Sequence, residues 1–436
     1  MRIFSAALMV NVLCCPLLPG ERLLDYLTGR PVRYAGHFSS APVWLDRYYP
    51  KTREFRGAWV ATVENLDFPI HRDAAAFRRD YLRIVDNLAK ANFNAVIFQI
   101  RPCNDAFYPS KINPWSQYLT GMEGAALRGF DPLRFMIDEA HRRGLEFHAW
   151  FNPYRVIGNT PLDKSAYLKK LSPLNFARRN PGMVMSVPLP QKRNQLILNP
   201  GEPEVMRHIV ATVREVAEKY PIDAVHFDDY FYPYSGMGSQ DLDTYRRYGR
   251  GMKLDDWRRK NVTTVIRAVK KVLDDRRRVS GRKIRFGVSP FGIWANRSAM
   301  PAGSLTGGLQ SYFVQHADTR AWVKHGYIDY IVPQLYWEFS HDTAAYAALA
   351  DWWSEVVRGT RVKLFIGHAV NRLGSSRRWS APELANQLRY NCRKKDISGS
   401  VFFSYRHIFY PANPAQRRGV DFVLKKFWSA PAALPW

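Results

Sequence analysis

From about residue 55 onward the chain alternates two hydrophobic rhythms. Short runs dominated by apolar and aromatic residues read as strands: FRGAWVAT (55–62), AVIFQIR (95–101), EFHAWFN (146–152), AVHFDDYF (224–231), RFGVSPF (285–291), DYIVPQLYW (329–337), KLFIGHAV (363–370) and GSVFFSYRH (399–407). Between them, stretches such as DYLRIVDNLAKAN, DPLRFMIDEAHRRG and EPEVMRHIVATVREVAEKY carry apolar residues at helical spacing, and several stop at Gly or Asn before the next strand. Eight strand-helix units in one run predict an α/β fold, a closed (β/α)8 barrel of TIM type, rather than an open doubly wound sheet. The turn after the first strand, ATVENLDFP, lacks the glycines that a nucleotide-binding sheet would place there. Three connections, about 153–201, 232–252 and 292–312, are long and lie on the side where such barrels carry their chemistry. The first is too long to be structureless, so it should hold a short element and form part of a cleft wall. The barrel is expected to occupy residues 50–430, with 21–49 a linker or an N-terminal strap.

Side chains alternate across a strand, so residues of one parity share a face. In the fourth strand Ala224, His226 and Asp228 share one face, Val225 and Phe227 the other. The apolar pair should pack on the helices, which turns His226 and Asp228 toward the barrel axis. Asp229 then lies across the strand or in the loop that follows. The same alternation groups Gln99 with Arg101, His148 with Trp150 and Asn152, and Gln334 with Tyr336 and Glu338; His368 stands near the end of the seventh strand. Burying so many polar groups at one rim is costly unless they pair or meet a polar ligand, which predicts a site there. Taken singly, His226 or His148 is as well explained by a supporting hydrogen bond as by catalysis.

Rings crowd the same strand ends and loops, among them Trp59, Trp150, Tyr230, Tyr234, Tyr336 and Trp337. Flat rings suit sugar faces, while carboxylates and amides suit hydroxyls, so a polysaccharide substrate is expected. Glycoside hydrolysis needs a proton donor and usually a second carboxylate, roughly 5–5.5 Å away for retention or 6.5–9.5 Å for inversion. Asp228 and Asp229, if both stay in the strand, point to opposite faces and flank one bond poorly. They are expected to divide labour, Asp228 facing the sugar while Asp229 orients a partner, raises its neighbour's proton affinity or binds a hydroxyl. The second catalytic carboxylate should then come from another strand, with Glu338 ahead of Asp105 and Asp67. A metal-assisted alternative would draw on His226, Asp228, His148 and His368, but no HExxH or closely spaced His pair is present, and neither metal nor cofactor is expected.

Charge adds a partner class. With 64 Lys+Arg against 38 Asp+Glu the formal net charge is +26, which favours anionic partners. The basic residues are scattered rather than gathered in a stripe, so a nucleic-acid partner is not expected. The start, MRIFSAALMVNVLCCPLLPG, has an early Arg, an apolar stretch and then turn residues, and is interrupted by Asn11 and Pro16. It reads as an export signal over residues 1–20, implying a periplasmic or envelope location, and is too short to span a membrane comfortably. Cys14 or Cys15 offers an alternative, membrane attachment through a lipid, although the residues before them lack the small side chain such sites carry. Beyond that segment only Cys103 and Cys392 remain, too few for a disulfide framework, and they read as free buried thiols.

The phrases FRGAWVATVENLDFP, NAVIFQIRPCNDAFY, PWSQYLTG, FDPLRFMIDEAHRRGLEFHAWFNPYR, LNPGEPEV, VHFDDYFYPY, FGVSPFGIW, DYIVPQLYW and IGHA, in this order from about residue 54 to 408, resemble the bacterial glycosyl-hydrolase-like family ten. The resemblance implies an exported (β/α)8-barrel protein, and one family member cleaves peptidoglycan glycan strands stripped of their peptides. It implies a pocket formed by Arg101, Asp105, His148, Asn152, Arg155, His226, Asp228, Asp229, Gln334, Tyr336 and His368, beside which Tyr230 and Trp337 are added as sugar-binding rings. The expected function is therefore hydrolysis of a cell-wall glycan, peptide-stripped peptidoglycan, by carboxylate acid/base catalysis at the C-terminal rim, with Asp228, Asp229 and Glu338 as the catalytic candidates. Arg101 and Arg155 would pair with the free lactyl carboxylates of such a strand. A noncatalytic glycan-binding barrel and a metal-assisted polysaccharide hydrolase are the alternatives.

Overall fold

A computed structural model describes residues 20–436. The expected export signal, with Cys14 and Cys15, lies outside the described residues except for Gly20. Strands β1 (Phe55–Val60), β2 (Ala95–Arg101), β3 (Glu146–Phe151), β4 (Ala224–Phe227), β5 (Arg285–Val288), β6 (Tyr330–Ile331), β7 (Lys363–Ala369) and β8 (Ile397–Phe403) pair in parallel and close on themselves, β8 against β1. A helix follows each strand: α1 (Ala74–Lys90), α2 (Pro132–Arg142), α3 (Pro203–Lys219), α4 (Leu254–Ser280), α5 (Thr319–Lys324), α6 (Tyr346–Val357), α7 (Pro382–Cys392) and α8 (Pro414–Phe422). The chain is thus a (β/α)8 barrel. Local chemistry sets the helix starts, since Asp73 and Asp131 accept from the backbone N–H of Ala76 and Arg134 at the first turns of α1 and α2.

Alternation divides the barrel into two apolar layers. Val96, Phe98, Phe147, Ala149, Val225, Phe227, Phe286 and Val288 meet the helices in one continuous core. Phe55, Trp59, Ala95, Ile97, Trp150, Ala224, Tyr330, Phe365 and Val401 fill the interior. Burying a large apolar side chain contributes about 1.5–3 kcal/mol relative to exposure, so both layers fix the register of every strand.

Strands β4, β5 and β6 are shorter than their hydrophobic runs. Past the ladder the chain stays extended and largely buried but pairs only through single bridges, such as Phe291 with Gln334 and Gln334 with Gly367. The connection after β3 carries the element its length required: a three-stranded antiparallel sheet of Arg155–Thr160, Val184–Leu189 and Arg193–Leu198. Residues 21–49 form a strap whose strand Glu21–Arg22 pairs with Trp44–Leu45, and Arg389 of α7 donates to the Asp46 carbonyl. At the opposite end Trp436, beyond the expected boundary at 430, closes the barrel floor, its indole N–H donating to Glu146 and its ring facing the Arg285 guanidinium at 4.0 Å. Cys103 and Cys392 are both free.

Inside the barrel, Gly287 lies under the Tyr330 ring, where an added Cβ would overlap the ring carbons. The Tyr330 hydroxyl bridges His148 Nδ1 at 2.9 Å and His226 Nδ1 at 3.1 Å, so the ring cannot step aside without breaking both bonds. Gly287→Ala is expected to cost about 1–3 kcal/mol by overpacking. Thermal unfolding checks this, and an unchanged midpoint would mean that the interior is looser than described.

Candidate active site

The inward residues at the strand ends converge on one cavity of about 250 Å³. Trp59 and Ala61 come from β1 and its loop, Gln99 from β2, Trp150 from β3, Asp228 and Asp229 from the end of β4, Ser289 from β5, Gln334 from the β6 end and Phe403 from β8. The loops add Val63, Leu66, Arg155, Tyr230, Tyr234 and Tyr336. Strand β7 sends no side chain because Trp59 lies over Gly367, close enough that a Cβ would sit 2.9 Å from the indole. A groove of about 750 Å³ between the strap, α7 and α8 is larger, but it is lined by Arg47, Arg389, Arg418 and rings with no carboxylate. A groove of about 530 Å³ beside α6 does carry Asp351, Glu355 and Asp396, but the rim cavity is the one at the strand ends, where barrels of this kind keep their chemistry, and it holds Asp228 and Asp229.

Strand β4 ends at Phe227, so Asp228 and Asp229 both sit in the loop and both face the cavity. Of the two placements expected for Asp229, across the strand or in the loop that follows, the structure has the loop, so the divergence expected of two strand residues does not arise. Their surroundings differ. Asp228 Oδ2 accepts from the Trp150 indole N–H and from Asn152 Nδ2, each at 3.0 Å, and the Arg155 guanidinium lies close enough to favour its charge. Asp229 accepts from the Tyr234 hydroxyl, while the nearby Gln334 amide donates to the Ser289 carbonyl at 2.9 Å. Burial raises the proton affinity of both carboxyls, and the Asp228 charge adds to the effect on Asp229, pushing it up to about 7. The donors collected on Asp228 settle where a shared proton rests: Asp229 holds it and Asp228 stays ionised.

Arg155 is buried in the cavity wall, with its backbone N–H on Asn152 Oδ1 and its guanidinium 4.3 Å from the Tyr230 ring centre. Tyr336 also lines the cavity, and its hydroxyl makes no hydrogen bond to any described residue. The remaining sequence candidates lie elsewhere. Arg101 is turned outward by a bulge, because Gln99 pairs with Trp150 but Arg101 already pairs with Phe151. Its guanidinium donates to the Asn152 and Pro153 carbonyls and to Asn104, which holds the turn that presents Asn152 to Asp228. Asp105 accepts from the Cys103 backbone N–H, and Asp67 from Ala61, Ser404 and Arg406. Glu338 faces α7, where burial, with a contribution from the Glu338 charge, pushes Glu383 up to about 8. Trp337 packs edge-on against Phe291 behind the wall.

The three histidines are placed below or outside the cavity. His148 faces the axis one layer deeper, between Tyr330 and Glu146. His226 sits directly under the floor: Trp59 can only donate, so Nε2 of His226 accepts from it and the ring proton is on Nδ1, aimed at Tyr330. Burial holds this imidazole neutral. It fixes Trp59 and Ser289, both of which line the cavity. His368 points outward, between Gln387 of α7 and Ser400. The four residues considered as metal ligands are therefore not gathered, and no cluster of three or more His, Cys, Asp or Glu suited to a metal exists among the described residues.

Ser289 and Phe403 line the cavity without having been singled out in the sequence, where Trp59, Trp150 and Tyr234 counted among the rings and Gln99 shared a face with Arg101. Parity alone marks Ser289, in step with Arg285 and Gly287, and Phe403, in step with Gly399 and Val401. Neither carries charge, so a search weighted to ionisable groups passes over them.

Comparison with known proteins bears on family and fold. The chain is 40% identical over 393 residues to the glycosyl hydrolase YngK of Bacillus subtilis, covering 88% of this chain and 73% of that protein. It is also 40% identical over 400 residues to the glycosyl hydrolase DigH of Escherichia coli K12, covering 87% and 88% respectively. Among solved structures, the glycoside hydrolase domain of PgaB (BpsB) from Bordetella bronchiseptica superposes with a TM-score of 0.53 at 12% identity, over 84% of this chain and 99% of that one, a likeness of fold. Residues 54–383 match the family model described as Glycosyl hydrolase-like 10, and with these relatives the chain belongs to that family.

Proposed function

We propose that the protein hydrolyses the glycan strands of peptidoglycan from which the peptides have been removed, with Asp229 as the proton donor and Asp228 as the ionised carboxylate working beside it. The observation that carries the reading is the adjacent acid pair in one aromatic-lined cavity, with Trp150 and Asn152 donating to Asp228, while burial and the Asp228 charge push Asp229 up to about 7. Two carboxyls pushed apart in proton affinity are what acid and base roles require. The substrate class draws on Arg155, which brings a guanidinium to the cavity wall where a lactyl carboxylate would pair with it, and on a net charge of +26 that attracts an anionic polymer. The wall location of that substrate goes with the apolar segment of residues 1–20 acting as an export signal.

The test is to incubate the purified protein with intact peptidoglycan, peptide-stripped strands and chitin, and to measure soluble fragments. Release is expected from the stripped strands, and because Arg155 also favours the Asp228 charge, Arg155→Ala should slow every chain, with a loss on the stripped strands about tenfold or more beyond that on neutral chains. Equal or better cleavage of chitin, with Arg155→Ala slowing both chains alike, would contradict the substrate class. The rate should also fall as pH rises through about 7, because the protonated form of Asp229 is the active one and is lost above its pKa. A pH profile of kcat/KM checks that limb.

A further inference from the structure

We infer that cleavage is substrate-assisted: the sugar in the cavity is a 2-acetamido hexopyranose whose own acetamido oxygen is the nucleophile. The inference rests on the reading of this cavity as a glycan-cleaving site and names the sugar it requires. Among the described residues, the carboxylates that line the cavity are Asp228 and Asp229. They are consecutive and enter from the β4 side. A nucleophile must attack the sugar from the face opposite the leaving group, and the walls supplied by β1, β6 and β8 present Trp59, Gln334, Tyr336 and Phe403, with no acid. Asp67, Asp105 and Glu338 face other partners, and Glu64, in the loop after β1 between Val63 and Leu66, is exposed and stays outside the lining. A protein pair that comes from one side can donate a proton and steady a charge, but cannot also supply attack from the other.

The features of the cavity fit an acetamido group. Asp228, held ionised by Trp150 and Asn152, is an acceptor for the amide N–H. The Tyr336 hydroxyl, without a partner among the described residues, is free to donate to the amide oxygen. Trp59, Ala61, Leu66 and Phe403 give an apolar side for the methyl group. In the first step the acetamido oxygen forms a bond to C1 as the bond from C1 to the bridging oxygen breaks, and Asp229 gives its proton to that oxygen. The positive charge on the bicyclic intermediate is balanced by Asp228, hydrogen-bonded to the amide N–H. In the second step Asp229, now a carboxylate, takes a proton from water as the water oxygen attacks C1 and the acetamido oxygen departs. The acetamide, both carboxyls and the anomeric configuration are restored.

The probe is the 2-methyl thiazoline of N-acetylglucosamine, a stable mimic of the bicyclic intermediate, titrated calorimetrically into the protein. It is expected to bind on the order of 100-fold tighter than N-acetylglucosamine, and Asp228→Asn, which keeps the shape, should erase that advantage. In parallel, aryl 2-acetamido glycosides carrying zero to three fluorines on the acetyl group are hydrolysed, with kcat expected to fall by more than about tenfold across the series as the acyl oxygen loses nucleophilicity. Turnover that is indifferent to fluorination, or a thiazoline bound no tighter than the sugar, would overturn substrate assistance while leaving hydrolysis by this cavity intact. Failure to cleave any glycan or aryl glycoside overturns both readings.

Discussion

Asp229→Asn is expected to lower kcat on peptide-free glycan strands by about 10²- to 10⁴-fold, the usual worth of a positioned general acid. Asparagine preserves the size of the side chain and keeps an oxygen that can accept from the Tyr234 hydroxyl, so the fold should be unaffected. The loss should depend on the leaving group: a dinitrophenyl glycoside, which departs without a proton, should retain most of its turnover for the bond-breaking step. The decline above pH 7 should also vanish, because the group that causes it has been removed. Equal losses on both substrates would mean that Asp229 positions the sugar rather than protonating the departing oxygen.

The second large effect is on stability. Asp241 is fully buried and accepts from Arg258 through two atoms, Nε at 2.9 Å and Nη2 at 2.6 Å, while the same guanidinium donates to the Gly238 carbonyl. This pair fastens the long loop after β4, which carries Tyr230 and Tyr234, to α4. Asp241→Leu leaves the buried guanidinium with only the exposed Asp255 carboxylate, 3.6 Å away, and should cost about 3 kcal/mol. Removing both charges, with Asp241→Leu and Arg258→Met together, should recover much of that loss, since no buried charge is left unpaired and only the Gly238 carbonyl loses a donor. Chemical denaturation of the single and double variants measures the difference. A double variant no more stable than Asp241→Leu alone would show that packing, not the charge pair, holds the loop.

Much of this architecture was legible in the chain. Eight apolar runs separated by amphipathic helices set the barrel, and alternation brought Asp228, Gln334 and Tyr336 to the correct rim. The misplacements have separate physical causes. Arg101 follows Gln99 at the spacing of a regular strand, but the bulge between them reverses its face. Asp229 follows Asp228 at the alternation of a strand, but hydrogen bonding on β4 stops one residue earlier, at Phe227. His148 has the right face at the wrong depth: it pairs with Ala224, the first residue of β4, and so lies near the barrel floor. Depth depends on how strands stagger around the barrel, which no single strand records. His368 shares the parity of Leu364 and Ile366, both of which pack outward, so alternation applied to β7 would have placed it with the helices. The pairing of the Asp228 and Asp229 roles needed coordinates, because their neighbours come from three separate places in the chain: Trp150 and Asn152 from the end of β3, Tyr234 from the loop after β4 and Gln334 from beyond β6.

The most direct test is a count of new reducing ends, with mass spectrometry of the fragments, after peptide-free glycan strands are incubated with the native protein, Asp228→Asn and Asp229→Asn. The native protein should generate fragments, and both variants should bind the strands with similar Kd yet release almost none. Fragments from either variant at the native rate would contradict the assignment of the chemistry to this acid pair.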